Sequence, residues 1–238
     1  MFSAEDLRLS EESEVDMSFQ EAQQAWGGIL GWLAKTQPHL AVVSGEVSRN
    51  CSRPSKRSVL SAMRACEYAK STHRRLRLEA VSDPVLVVWV DASYNIRSCD
   101  GRLGWEIQVV DRKWLGNDDV AKLPYSNVVM WRSQRCKRKL VSTTGAELLA
   151  LLEGVKKSPL YSKMILTMWG KEPPVIFVTD SQPLVSWLRK GWVDTDPHLQ
   201  GSLDLVRERI KEYKAKVIWV STKSQRADRQ TNFIPVRF

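Results

Sequence analysis

Val85-Leu86-Val87-Val88-Trp89-Val90-Asp91 (VLVVWVD) is the stretch of this 238-residue chain around which the rest is arranged. Six apolar residues run without alternation and then break on a carboxylate. A strand with one wet face alternates apolar and polar residues, so an unbroken run marks a strand buried on both faces. A second run, Val175 to Thr179 (VIFVT), breaks the same way on Asp180. If the two strands lie parallel and adjacent, both carboxylates emerge at one end of the sheet. Acids that close repel and raise each other's pKa unless a cation lies between them. The expectation is a divalent-metal site at the end of a central sheet.

Working outward, Gly101 to Asp111 (GRLGWEIQVVD) and Asn127 to Ser133 (NVVMWRS) complete an antiparallel meander with the Val85 strand, the runs being separated by polar and Gly-bearing loops. The spacing then predicts a helix from about Thr144 to Lys157, the Val175 strand, helices over Gln182–Arg189 and about Leu199–Lys214, a strand over Lys216–Val220 and a last short helix from about Ser224. The order βββαβαα, then β and α, predicts an α/β fold: a mixed five-stranded sheet with flanking helices. Upstream the period is helical. Phe19, Ala22, Trp26, Ile29, Leu30 and Leu33 share one face, Pro38 interrupts, and Pro54 is placed to open a helix with the stripe Val59, Leu60, Met63, Cys66 and Ala69. Residues 1–18 are acidic and poor in large apolar side chains, a disordered tail by composition. The expected organisation is therefore a tail over 1–18, a small helical segment over 19–80 and the sheet domain over 81–238.

With 43% hydrophobic residues and 10 Trp, the chain can bury one substantial core beside a small helical module, and the Trp residues read mostly as core. The net charge of +9 is uneven: Met1–Met17 carries six acids and one Arg, or −5, which leaves +14 for the remainder and points to a polyanionic partner. Cys51, Cys66, Cys99 and Cys136 are scattered without a CxxC pair, which speaks against a zinc site or a disulfide framework and fits a reducing compartment. No apolar run approaches the roughly 18 residues of a membrane span and no secretory leader opens the chain, so an intracellular protein, cytoplasmic or nuclear and away from membranes, is expected.

Each candidate acid has a structural reading beside the functional one. Asp91 reads as an ordinary strand-end acid, and Asp180, just before a helix, as its N-cap. Thr144-Gly-Ala-Glu147 has the form of a capping box, although Glu147 shares its helical face with Ala150, Leu151 and Gly154 and so points at the sheet. Asp228, in SQRADRQ, favours a helix N-terminus through the dipole. Their joint order carries more than any one of them: an acid after the first long strand, one on the helix behind the meander, one after the next strand, one on the last helix.

That order of Asp, Glu, Asp and Asp resembles the ribonuclease H family, and more narrowly the ribonuclease H domain of Ty1/copia-type retrotransposon polyproteins. Asp91-Ala92 is similar to the family's Asp-Ala at the end of the first strand. Trp131 to Glu147 (WRSQRCKRKLVSTTGAE) resembles a segment that usually ends Ser-Thr-Thr-Glu-Ala-Glu, and Asp180-Ser181-Gln182 an Asp-Asn-Gln-like turn. His198-Leu199, Val206-Arg207-Glu208 and Ala227-Asp228 with Thr231 match later landmarks. Upstream, Gly27-Gly28-Ile29-Leu30-Gly31-Trp32-Leu33, Gln37-Pro38-His39, Pro54-Ser55 and Arg64, Tyr68 and Ser71-Thr72 resemble the segment that joins reverse transcriptase to ribonuclease H in such polyproteins. Coverage is roughly residues 19–232. Departures are Ser93 for a second Asp, Gly145 for the first Glu, Pro197 for Lys, Gln230 for Leu and Asn232 for Lys, and none removes one of the four acids.

The resemblance implies that Asp91, Glu147, Asp180 and Asp228 hold two Mg²⁺ or Mn²⁺ ions and that the chain is a metal-dependent endonuclease cutting the RNA strand of RNA–DNA hybrids. It implies a reverse-transcriptase partner within a longer polyprotein. The alternative is a catalytically inactive nucleic-acid-binding remnant. Arg132, Arg135, Lys137, Arg138 and Lys139 form a basic run beside the expected site, read either as a solvated loop or as phosphate contacts. His198 is read as a packing or capping histidine or as an auxiliary proton carrier. Asp118-Asp119 in the GNDD loop lacks the apolar hairpin of a polymerase pair, and a DDE recombinase would place its Glu last rather than second.

Overall fold

The computed structural model describes residues 14–72, 76–95, 100–116 and 119–232; residues 1–13 of the expected tail, Cys99 and Asp118 lie outside the described residues. The described residues divide into two compact units, one of residues 77–231 and one made mainly of residues 14–76.

In the larger unit, β1 (Pro84–Asn95), β2 (Asp100–Asp111) and β3 (Val128–Arg135) form the meander. Helix α4 (Thr143–Trp169), β4 (Val175–Thr179), α5 (Gln182–Lys190), α6 (Gln200–Glu212), β5 (Lys216–Trp219) and α7 (Asp228–Thr231) follow. The five strands lie in the order β3-β2-β1-β4-β5, with β1 antiparallel to β2 and parallel to β4, and β4 parallel to β5. The mixed sheet with flanking helices is as expected. Because β1 is its middle strand, Val85 to Val90 are all buried, and this is why their sequence does not alternate. Leu86, Val88 and Val90 face α4 and pack on Leu148, Leu151 and Val155, with Leu184, Leu203 and Val206 completing that core. Val85, Val87 and Trp89 face the opposite way, where Leu115, Val120 and Leu123 of the β2–β3 connection and Ala227 cover them.

Two bounds differ from expectation for physical reasons. β1 does not stop at Asp91: antiparallel pairing with β2 carries it on to Asn95, opposite Asp100. The helix expected to end near Lys157 runs to Trp169 through Pro159. A proline leaves the carbonyl four residues back without its amide partner. That carbonyl belongs to Val155, and the buried Ser158 hydroxyl donates to it at 3.0 Å. Trp89, Trp105 and Trp187 are buried and Trp26, Trp114 and Trp169 pack half-buried against a core, so six of the ten Trp are core as expected, while Trp32, Trp192 and Trp219 are exposed.

The smaller unit holds α1 (Gln20–Leu33), α2 (Ala41–Arg49) and α3 (Lys56–Thr72) around Leu30, Val42, Val43, Val47, Ala62, Ala65 and Cys66. Its faces are largely those predicted, with Leu30, Val59, Cys66 and Ala69 buried and Trp26 and Leu33 packed on the core, but turned so that Ile29 and Leu60 are exposed and Gln23 and Ser58 are buried. The polar pair is tolerated inside because it is satisfied, Ser58 Oγ donating to Gln23 Oε1 at 2.7 Å and Gln23 Nε2 to the Val47 carbonyl at 2.9 Å. Among the described residues no helix is long and apolar enough to cross a membrane.

Candidate active site

Register brings the first two acids together. The pairs from Leu86–Val175 to Trp89–Val178 keep one offset, and two residues further the same offset sets Asp91 level with Asp180, on the face of Trp89 and Val178. β4 stops at Thr179, so Asp180 stands free of the ladder. The helix cap at that point is Ser181, whose Oγ accepts the Leu184 amide at 3.3 Å, so Asp180 is not the N-cap.

Glu147 arrives from α4. Here too the capping reading fails: Ser142 is the N-cap and accepts the Gly145 amide at 3.0 Å, which places Glu147 in the second turn. α4 lies close on β1 where Gly154 meets it, since a Cβ there would stand 2.8 Å from Val90 Cγ1 and 3.0 Å from Val88 Cγ1. Glu147 Oε1 accepts the Ala92 amide at 3.3 Å, and Oε2 is buried without a hydrogen-bond partner. One carboxylate oxygen each from Asp91, Glu147 and Asp180 lies within 4.8 Å of the others.

The fourth acid stands beside this trio rather than in it. Asp228 opens α7, and the Thr231 hydroxyl at the end of that turn lies between the Asp228 carbonyl oxygen, at 3.1 Å, and Asp91 Oδ2. Burial lifts the Asp91 pKa to about 7, and the charges of Asp180 and Asp228 add to the rise, against the Thr231 hydrogen bond. Burial, then Asp91 and Asp180, hold Glu147 well above the carboxylate range. At an effective dielectric near 20, two like charges this close cost about 3 kcal/mol. The donor set is all oxygen, as Mg²⁺ and Mn²⁺ prefer, and the bare Glu147 Oε2 is an acceptor in want of a positive partner. The three acids therefore fit a divalent cation.

A meander joined to parallel strands, with acids at the carboxyl end of the middle two, settles the architecture. The fold is ribonuclease H-like.

The chain is 22% identical over 231 residues to the retrovirus-related Pol polyprotein from transposon TNT 1-94 of Nicotiana tabacum, a match that takes in 94% of this chain and 16% of that polyprotein's length. The likeness to a retrotransposon Pol polyprotein drawn from the motifs is borne out. No protein-family profile matches the sequence. Among solved structures, the chain is similar to LC11-RNase H1, isolated from compost by a metagenomic approach, with a TM-score of 0.44, 15% identity, and 61% of this chain and 91% of that one covered. The same enzyme in complex with an RNA/DNA hybrid gives a TM-score of 0.43 at 14% identity, with 60% and 91% covered. RNase H1 from Halobacterium salinarum gives 0.40 at 17% identity, with 60% and 91% covered.

The basic residues of the ribonuclease H-like sheet gather elsewhere along α4. Arg132 and Arg135 on β3 and Lys137, Arg138 and Lys139 in the loop after it all line a groove of about 860 Å³, whose other wall is Leu149, Leu152, Glu153 and Lys156 of α4. His198 is not among the clustered acids. It is exposed on the Pro197–Leu199 turn, against neither core, and that loop reaches the start of α4 through Leu199 at Gly145 and a 3.3 Å hydrogen bond from Thr195 Oγ1 to Ser142 Oγ. Gly145, a departure from the resembled pattern, makes the approach possible, because a Cβ there would stand 2.9 Å from Leu199 Cδ1. Sequence reasoning missed Gln225, Arg226 and Glu106, which surround the C-terminal turn. It also gave Thr231 no role in the site, although Thr231 follows Ala227-Asp228 in the last of the resembled landmarks.

Proposed function

We propose that this chain is a divalent-metal-dependent ribonuclease H-type endonuclease that hydrolyses the RNA strand of RNA–DNA hybrids, working as part of a longer copia-type Pol polyprotein beside its reverse transcriptase. The observation that carries the reading is the meeting of Asp91, Glu147 and Asp180 within 4.8 Å, with one buried Glu147 oxygen left bare. Asp91, between the other two elements, would hold the ions together with Glu147 and Asp180, and Asp228 would complete the set. When bound there, divalent ions would supply activation of the attacking water and counter-charge for the leaving 3′ oxygen of the RNA. The protein's own part is to hold the carboxylates ready and to seat the hybrid. Arg132, Arg135, Lys137, Arg138 and Lys139 line the groove that leads from the Glu147 helix and track the phosphates, and preference for RNA comes from 2′-hydroxyl contacts rather than base reading. The exposure of His198 on the turn beside the start of α4 supports, in this reading, an auxiliary proton-carrying role.

The test is cleavage of a labelled RNA–DNA hybrid with Mg²⁺, beside duplex DNA and beside Asp91→Asn. The expected loss in the variant is more than about 100-fold, above what outer-shell partners of a metal usually contribute. Binding of the hybrid without any cutting by the wild type gives the inactive-remnant reading instead.

A further inference from the structure

The turn that carries Asp228 and Thr231 cannot hold its own position. α7 is four residues long, and a helix needs roughly a dozen before it is stable without tertiary support. A buried polar cluster on the Trp89 face of the sheet supplies that support. Gln225 Nε2 donates to the carbonyl of Val90, the residue before Asp91, at 2.9 Å. The Arg226 guanidinium lies 4.8 Å over the Trp89 ring and donates to Gln108 Oε1 at 3.1 Å, to the Pro124 carbonyl at 2.9 Å and to the Leu123 carbonyl. Arg229 stacks 4.2 Å over Tyr125, which Arg226 also approaches at 5.9 Å.

Two guanidinium groups on one ring repel, and the Glu106 carboxyl faces them: burial raises its pKa, and the charges of Arg229 and Arg226 draw it back toward the ionised form that balances them. It is fully buried, directly opposite Trp89 in the ladder, with Oε2 3.9 Å from Arg229 Nε and 3.5 Å from both the Tyr125 hydroxyl and Gln230 Nε2. Gly104, opposite Asp91, lets the turn settle on the sheet: a Cβ there would stand 2.7 Å from Gln230 Cβ and 2.8 Å from Thr231 Cγ2. Ser93 Oγ adds a 3.3 Å hydrogen bond to the Thr231 carbonyl from the other side.

We propose that Glu106 and Arg226, with Tyr125 beneath them, are positioning residues: they clamp the C-terminal turn so that Asp228 and the Thr231 hydroxyl reach Asp91, and thereby set how tightly the acid site holds its cation. The effect on cutting rests on the nuclease reading; the placement of the turn does not. With the Glu106 charge removed, Arg226 and Arg229 face each other unbalanced and the turn is driven off the sheet.

Glu106→Gln keeps the shape and loses only the charge. In the folded variant, metal-free amide exchange over residues 228–231 rises about 10-fold, Mn²⁺ affinity falls about 10-fold, and kcat on the hybrid falls with KM unchanged, as for outer-shell partners of a metal. Tyr125→Leu, at a half-exposed position, carries the same readouts should Glu106→Gln fail to fold. Exchange over 228–231 and Mn²⁺ affinity both equal to wild type overturn the clamp, even if the wild-type protein cuts hybrid. A wild type that never cuts sinks the nuclease reading alone, and the exchange measurement still decides the clamp.

Discussion

The carboxyl of Asp91 makes the folded protein sensitive to pH in an uncommon direction. Its pKa stands near 7 in the fold against about 3.8 in the open chain, so between those values the native state keeps a proton that the unfolded state has released. The native state binds more protons there, so stability falls as pH rises from about 4 to about 7, the reverse of a salt-bridged aspartate. The loss is on the order of 4 kcal/mol for the metal-free protein. Melting curves without metal are therefore expected to show Tm falling from pH 5 to pH 8, and Asp91→Asn to flatten the fall while abolishing cleavage. A Tm that rises over this range in the wild type would contradict the burial and crowding of Asp91. The acid itself was legible, since an apolar run can end on a buried carboxylate only at some cost. Glu106 was not: in GRLGWEIQVVD it alternates with Trp105 and Ile107, as a solvent-facing residue would, and only the overlying β2–β3 connection and C-terminal turn bury it.

At the level of elements, the order of strands and helices follows from periodicity because each apolar run is set by which faces it buries. The bounds depend on partners that are far away in sequence. β1 outlasts its apolar run because β2 offers hydrogen bonds to Asn95, and α4 outlasts Pro159 because Ser158 answers the freed Val155 carbonyl. Ser158→Ala leaves that buried carbonyl bare and is expected to destabilise the fold by about 1–2 kcal/mol, read as a shift in urea midpoint with the slope unchanged. The groove between β3 and α4 makes a second prediction. If its cations meet phosphates, replacing Arg132 and Arg135 together by Gln weakens hybrid binding and lowers the slope of log affinity against log salt by roughly one for each phosphate left without its cation, with kcat preserved. An unchanged salt slope would show that these side chains face water, the reading that a charge run in a loop first suggests.

Across the whole molecule, each unit has a core of its own. Leu30, Val43, Val47 and Ala65 close one; the two faces of the sheet close the others, and every strand and acid of the site lies within residues 77–231. A unit with its own core can in principle fold without the rest of the chain. A fragment of residues 77–232 is accordingly expected to melt in one cooperative step and to be stabilised by Mn²⁺ as the full chain is. Binding to the native state alone adds about 2.7 kcal/mol at 100 times the dissociation constant, and the gain should be largest above pH 7, where Asp91 has lost its proton and the acids most need a cation. Asp91→Asn in the fragment should remove the Mn²⁺ response while leaving the cooperative step in place. A fragment that folds yet shows no Mn²⁺ shift, beside a full chain that shows one, would mean that the cation site draws on residues 1–76, and the clustering of Asp91, Glu147 and Asp180 would not be sufficient to hold the ion.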